Sequence, residues 1–425
     1  MTAVQQTEYM SLGWLDNSQA EQDRIKTMLS LLQEKGALDE IGIGTIRDAF
    51  ANLLFPGITT IQTRAKYLVL LLYLFQEADK EARKAAEKKV SLSTQKLVRF
   101  IYDSQDRLVD IFKANQLKTG VKERGVIGIR TRDVVQKPTF IYWGALTTFQ
   151  MVNPNLSLYQ MCNVICQNAV AAEQKRNPSV KEIKDVDDYF EDAPDASLDV
   201  PALYSPITWD NSNWREGLSM NLTYDEAEFI CNKILTSPKS QNSAFTQLLC
   251  YYRDRNETFR SLNLDTIPAT ALDTNMKNIF QLAKAFRDFI FGAYLAYNYL
   301  LSNRTDAVVK EVYDLWKKQD FNNVPLEDIL RVSKAKWHQR EFLRKLLNYA
   351  NAGEWRKYED CIQQREQELK LNRKKIGTYD PENNPYESPF KQSEDVYTML
   401  LDFRANNAGK ILKDILKGLI KGDAK

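Results

Sequence analysis

The chain has 425 residues, of which 44% are hydrophobic and 27% are charged, and its formal net charge is +2. This length predicts two or three domains, and these proportions are ordinary for a globular protein. Glycine and proline are sparse, with 16 and 13 residues, which favours helices over hairpins. The longest strongly apolar run, residues 67–75, is far shorter than the roughly 20 residues of a membrane span. We therefore expect no membrane segment.

The charge is unevenly distributed along the chain. Residues 64–132 hold 16 basic and 8 acidic side chains, residues 173–228 hold 5 and 14, and residues 331–375 hold 13 and 6. Two basic blocks with an acidic block between them can bind a polyanion, bind each other, or be solvated. The five cysteines are scattered and no secretory signal precedes them, so we predict reduced thiols and a cytoplasmic protein.

The first helices are marked by capping signals. Ser18 and Glu21 form a capping box, and the helix they begin stops at Gly36. Residues 45–48 repeat the start signal, and a proline and glycine at 56 and 57 end that second helix. Its predicted core residues are Ile46, Phe50, Leu53 and Leu54.

Residues 45–76 suggest a helix-turn-helix unit. Thr59 or Thr60 would cap its second helix, which we expect to run to about Lys89. Residues 67–75 are apolar on every face, so we predict that this part of the helix is surrounded by other helices. The alternative is an ordinary antiparallel helical hairpin with a solvated polar end.

If the unit docks on a duplex, polar and basic side chains at the start of the second helix face the DNA, because helix N-termini favour phosphate. Further lysines and an arginine would extend that surface. The predicted DNA-binding residues are Thr60, Gln62, Thr63, Arg64, Lys66, Lys88, Lys89, Lys96 and Arg99.

Helical patterns continue through the rest of the chain, so we predict a mainly α-helical, multi-helical fold. Residues 126–129 suggest one short β-hairpin or wing, and Pro138 suits a first helical position. A capping box at Thr223 and Glu226 begins the second half. The stretch before Thr223 is acidic and rich in proline, which predicts a connection between two domains. The three predicted regions are an N-terminal helical domain 1–176, a connection 177–221 and a C-terminal helical domain 222–425.

In the C-terminal half we predict long helices over about 242–262, 273–302, 306–318, 326–350 and 354–375. The stripe of apolar residues in the second of these is interrupted by Lys284, Arg287 and Asp288. These charges exclude a membrane span there.

Several chemistries are excluded by the residues present. His338 is the single histidine, so one chain cannot form a paired-histidine metal site. Residues 120–125 have the glycine spacing of a phosphate-binding loop but lack the lysine that follows it. Cys162 and Cys166 lie one helical turn apart and read as buried thiols rather than zinc ligands. We expect no catalytic residue, metal, cofactor or small-molecule substrate.

One enzymatic alternative remains open, a metal-dependent nuclease with a degenerate site. The Glu-x-Lys pattern of such enzymes occurs at Glu182, Glu87 and Glu368. Three matches are what chance gives in so charged a chain, and none lies on a convincing strand. Possible extra metal ligands near the first match are Asp185, Asp187 and Asp188.

Four segments together resemble one uncharacterised bacterial family, catalogued as a domain of unknown function. They are residues 12–16, 40–67, 142–143 and 222–229. The resemblance covers most of the chain and is most specific over residues 42–57. It implies a place beside helicase and phospholipase-D-type nuclease genes in anti-phage defence clusters, Azaca-like and DISARM-like among them. It brings no catalytic residues.

The resemblance and the basic blocks together predict a non-enzymatic subunit of a defence system that binds DNA and a helicase or nuclease partner. A purely structural adaptor that binds no nucleic acid is the second alternative to this function, beside the degenerate nuclease.

Overall fold

A computed structural model describes residues 40–90, 92–129, 136–177, 202–255, 259–378, 388–389 and 401–420. Over these ranges the chain forms thirteen α-helices and no β-strand, and its one β-bridge joins Val152 to Tyr204. The mainly α-helical prediction is confirmed. The helices are α1 (Gly44–Leu54), α2 (Lys66–Glu87), α3 (Thr94–Thr119), α4 (Pro138–Thr148), α5 (Leu158–Arg176), α6 (Tyr224–Thr236), α7 (Ala244–Arg255), α8 (Thr274–Leu301), α9 (Ala307–Trp316), α10 (Leu326–Val332), α11 (Trp337–Asn351), α12 (Trp355–Lys370) and α13 (Ala405–Ile420).

Capping explains where several of these helices begin. At α6 the Thr223 hydroxyl accepts a hydrogen bond from the Glu226 backbone amide (3.3 Å), and the Glu226 carboxylate accepts one from the Thr223 amide (2.9 Å). This reciprocal pair is the predicted capping box. Helix α4 begins at Pro138, also as predicted. The box at residues 18–21 lies outside the described residues.

The predicted start signal at Thr45 is wrong. Helix α1 begins at Gly44, and its N-cap residue Ile43 makes no side-chain capping bond. The Thr45 hydroxyl instead accepts a hydrogen bond from Nε2 of Gln339, at 2.7 Å. Of the predicted core residues of α1, Leu53 is 36% exposed, whereas the other three are fully buried.

The chain divides into two compact units that do not follow one another in sequence. Unit 1 comprises Met1–Gln33, Tyr67–Trp143 and Gln150–Met220, and unit 2 comprises Glu34–Lys66, Gly144–Phe149 and Asn221–Lys425. The linear division into 1–176, 177–221 and 222–425 therefore differs from the units by placing residues 34–66 and 144–149 in the N-terminal domain.

Unit 1 is organised around the apolar part of α2. Every residue from Tyr67 to Phe75 is buried, as predicted for a segment that is apolar on all faces. Part of the predicted connection is packed onto this helix. The indole of Trp209 donates to the Tyr73 hydroxyl (3.0 Å), and Arg215 forms an ion pair with Glu77 (2.6 Å). Residues 202–220 are thus an ordered strap of unit 1.

Unit 2 is centred on α8, which packs against α1, α9, α10 and α12. The Trp316 ring lies so close to Gly292 that any Cβ there would overlap it. Helix α13 packs against α6, where a Cβ on Gly418 would lie 2.6 Å from the Cβ of Ala227. Small residues at these two positions allow the helices to approach closely.

One local prediction is wrong and another is not confirmed. The predicted helix over 326–350 is two helices, α10 and α11, separated at residues 333–336, where Lys334 has a φ of +51°. A backbone in that region is left-handed and ends an α-helix. The predicted hairpin or wing is not seen in its described part, because residues 126–129 form turns.

Candidate nucleic-acid interface

The segment that was predicted to read DNA is a loop rather than the start of a helix. Helix α1 ends at Leu54 and α2 begins only at Lys66. In the loop between them, Gln62 is buried, its Nε2 donates to the Gly57 carbonyl (2.9 Å), and its Oε1 accepts from the Thr59 amide (3.3 Å). Gln62 therefore holds the loop in shape.

Helix α13 fastens the same loop from the other end of the chain. Nε of Arg64 donates to both carboxylate oxygens of Asp414, at 3.1 and 2.8 Å, and the Ala65 amide donates to one of them at 2.9 Å. Burial raises the pKa of Asp414, although Arg64 acts in the opposite direction. The amide of Asn407 donates to the carbonyls of Thr59 (2.9 Å) and Thr60 (2.5 Å).

Lys66 is part of a buried ion pair. Its Nζ donates to both carboxylate oxygens of Glu226, at 2.7 and 2.6 Å, and the side chains are only 8% and 3% exposed. The same carboxylate completes the capping box of α6. The Glu226 carboxylate thus neutralises Lys66, the first residue of α2, and also caps α6, about 160 positions later in the chain.

These contacts correct the predicted site. Gln62 and Lys66 are buried and cannot reach a phosphate in this structure. Arg64 is half-buried against a carboxylate, Thr63 is half-buried, and Thr60 alone is exposed. A helix-turn-helix is not confirmed, since α1 belongs to unit 2 and α2 lies in unit 1 from Tyr67 onward.

The rest of the predicted basic surface is exposed and lies within unit 1. It surrounds the short connection between α2 and α3. We call the exposed basic residues between positions 84 and 99 the lysine tip. Between positions 84 and 99 there are five basic side chains and one acidic side chain. All five are exposed, and they are Lys84, Lys88, Lys89, Lys96 and Arg99.

Lys84 was missed by the sequence analysis. It lies in α2, four residues before Lys88, whose backbone amide donates to the Lys84 carbonyl just past the end of the helix. Side chains at that spacing share one helix face. Helical periodicity alone could have identified it. None of the four lysines forms an ion pair with any residue that the structure describes, and Arg99 has only a 4.0 Å contact with Asp103.

The backbone at Lys89 is unusual for a lysine. Its φ is +56°, in the left-handed region, and the amides of Lys89 and Val90 donate to the carbonyls of Ala86 and Ala85 to terminate α2. Glycine is the residue that favours this position, because a side chain there costs about 1 kcal/mol. The fold therefore does not require lysine at this turn.

The second basic block, residues 331–375, differs from the tip because seven of its thirteen cations contact a carboxylate. Arg344 contacts Glu327 at 2.8 Å, while Lys370 and Lys375 contact Glu40 at 2.9 and 2.8 Å. Arg365 is buried and donates to the carbonyl of Ile41. Pairing of this kind lowers the potential that a phosphate would meet.

The remaining candidate chemistries are positioned as follows. Residues 120–125 follow the C-terminus of α3, whereas a phosphate-binding loop precedes a helix. The Glu-x-Lys pattern at Glu368 lies in α12, and the one at Glu87 begins at the last residue of α2. The third, at Glu182, lies outside the described residues together with Asp185, Asp187 and Asp188. Among the residues described, no three His, Cys, Asp or Glu side chains could hold a metal ion.

Cys162 and Cys166 are buried side by side on α5, as predicted, and all five cysteines are free thiols. Burial raises the pKa of every one of them, to about 11 for Cys166 and Cys361. A thiol with that pKa is ionised in only about one molecule in a thousand at pH 8, and the thiolate is the reactive form.

We therefore expect Ellman's reagent to label the native protein slowly at the three buried thiols, Cys162, Cys166 and Cys231. Full labelling of five thiols should follow addition of guanidinium chloride, which serves as the control. Rapid reaction of Cys162, Cys166 or Cys231 in the native protein would contradict the burial of that cysteine.

The N-terminal third of the chain matches a known family model. Residues 9–155 match the family described as a family of unknown function, DUF6361. The DUF6361 match includes the loop at Gln62 and the whole lysine tip, and it ends before α5. No curated protein and no solved structure matches the chain. Within the described part of the chain, no helix combines the length and the apolar character that crossing a bilayer requires.

Proposed function

We propose that the protein is a non-enzymatic, cytoplasmic subunit of a bacterial anti-phage defence system, which binds DNA through the lysine tip and acts with a helicase or nuclease. The defence context rests on the sequence resemblance at residues 40–67 and 222–229. Five free thiols support a reducing compartment.

The observation that carries DNA binding is that four of the five tip cations have no carboxylate partner among the described residues, compared with six of thirteen in residues 331–375. At the tip, Lys84, Lys88, Lys89 and Lys96 are exposed without a carboxylate partner among the described residues. In residues 331–375 the unpaired cations include Lys334 and Lys336, which are exposed, but carboxylates contact seven others. Unpaired cations on one edge attract a polyanion, because binding releases the counterions of its phosphates.

The form of DNA follows from what else lies at the tip. Val90 is the one large hydrophobic side chain exposed between positions 84 and 99, and no aromatic ring is exposed there. A surface without aromatic rings cannot stack on bases, so its contacts go to phosphates. We therefore propose binding to duplex DNA with little sequence selectivity.

The test changes three tip residues together, as Lys88→Ala, Lys89→Gly and Lys96→Ala. We expect weaker binding of a labelled duplex and a smaller dependence on salt. The slope of log K against log salt should fall by about 0.9 for each lysine that contacts a phosphate. Glycine at position 89 relieves the left-handed backbone, so the melting temperature should not fall.

The matched control is Lys239→Ala with Lys318→Ala, two exposed lysines of unit 2 that also form no ion pair with a described residue. If the control weakens binding as much as the tip variant, the tip is not the site. A wild-type protein that binds no duplex at low salt would leave the structural adaptor as the better account. Cleavage of the duplex with magnesium would instead favour the nuclease alternative.

A further inference from the structure

Trp337 is the exposed tryptophan of the described chain. It is the first residue of α11, and 76% of its surface is accessible to solvent. The other tryptophans in basic surroundings, Trp316 and Trp355, pack against each other at 6.0 Å in an aromatic cluster. An indole is usually largely buried in a folded protein. The exposure of this ring therefore requires an explanation that packing does not give.

The residues around Trp337 are basic. Lys334 and Lys336 are exposed, and neither forms an ion pair within the described part of the chain. The first turn of α11 contains no acidic residue. Burial lowers the pKa of His338, and the positive charges of Arg365 and Lys336 lower it further. The charged side chains that flank the indole in sequence, Lys334 and Lys336, are therefore cations without a described carboxylate partner.

The surroundings of the ring distinguish the possible occupants. Along the described chain, Trp337 is the one large hydrophobic side chain exposed between Leu315 and Leu369, and its exposed neighbours in sequence are lysines. A protein interface would need a contiguous apolar patch around the ring, and a lipid surface would need several apolar anchors. A single aromatic face beside two cations matches the chemistry of an unpaired base with its flanking phosphates.

We propose that Trp337, Lys334 and Lys336 form a binding site for single-stranded nucleic acid, in which the indole stacks on one base and the lysines contact the adjacent phosphates. This inference rests on the proposed function, since it assumes that the protein meets nucleic acid. It adds base stacking, which the lysine tip, without an exposed aromatic ring, does not provide. The site lies in unit 2 and outside the DUF6361 match.

The experiment titrates the full-length protein with a labelled oligo-dT and measures the dissociation constant. Trp337→Ala should weaken binding about 5- to 150-fold, which corresponds to the about 1–3 kcal/mol of one stacked base. Trp337→Phe should retain most of the affinity, because phenylalanine also stacks. Lys334→Ala with Lys336→Ala should lower the salt slope by about 0.7 for each phosphate that these lysines bind in the wild type.

Leu371→Ala is the matched control, because Leu371 is an equally exposed apolar residue of unit 2. Its affinity for oligo-dT should equal that of the wild type. Unchanged binding by Trp337→Ala would overturn the proposal. So would binding of anionic phosphatidylserine vesicles, but not of oligo-dT, through Trp337.

The outcomes for the two sites are separable. The tip variant should lose duplex binding and keep oligo-dT binding, while Trp337→Ala should do the reverse. If only the tip variant has an effect, the single-strand site fails and the proposed duplex function stands. If only Trp337→Ala has an effect, the single-strand site stands and the duplex site fails.

Discussion

Replacing Lys66 with methionine is expected to lower the free energy of unfolding by about 3–5 kcal/mol, because removing one partner of a buried ion pair leaves the other charge uncompensated. The carboxylate left behind is that of Glu226, whose side chain is 3% exposed. Urea denaturation followed by circular dichroism measures the change. A wild-type unfolding midpoint for Lys66→Met would contradict the pair's burial.

The control removes the stranded charge as well. In Lys66→Met with Glu226→Gln, a glutamine at position 226 can still accept the Thr223 amide hydrogen bond that completes the capping box of α6. We expect this double variant to recover much of the stability that the single variant lacks. Equal destabilisation of the single and double variants would mean that the effect comes from packing rather than from charge.

The buried pair also changes what a charge reversal at the predicted DNA-binding loop would do. From the sequence, Arg64→Glu with Lys66→Glu would weaken DNA binding at an unchanged melting temperature. In the structure these changes place new carboxylates against Asp414 and Glu226. The same double variant is now expected to destabilise unit 2, so it cannot test DNA binding.

Leu71→Asp is expected to prevent folding of the protein. Leu71 is fully buried in the middle of α2. Truncating a buried leucine alone costs about 2–5 kcal/mol, and an unpaired buried carboxylate adds to that cost. The sum approaches the about 5–15 kcal/mol that holds a typical domain together. The measurement is the soluble yield and, for any soluble fraction, the circular dichroism melt.

The matched control is Leu117→Asp, the same change in a leucine of α3 that is 87% exposed. It should express and melt like the wild type, apart from a small decrease in helix propensity. Normal folding of Leu71→Asp would show that the apolar part of α2 is accessible in solution.

Features that depend on neighbouring residues could be predicted from the sequence. The α6 capping box uses Thr223 and Glu226, three positions apart, and it formed as predicted. The buried run from Tyr67 to Phe75 followed from a lack of polar residues on any face. Pro138 began its helix because its fixed φ suits that position.

Features that depend on distant partners could not be predicted. Lys66 and Arg64 looked like free cations because their carboxylates, on Glu226 and Asp414, lie 160 and 350 positions away. Thr45 likewise bonds to a residue of α11 rather than to its own helix. Charge patterning shows which residues are ionic, but only the tertiary fold shows which of them are already neutralised.

The interleaving of the two units has a consequence for how fragments of this chain behave. The DUF6361 match, residues 9–155, contains part of unit 2 at Glu34–Lys66 and omits most of Gln150–Met220 from unit 1. A polypeptide cut at its boundaries would carry Lys66 and Arg64 without Glu226 or Asp414. It would also carry α2 without the strap at residues 202–220 that packs on it. The residues that match the family model therefore do not coincide with either compact unit of this protein.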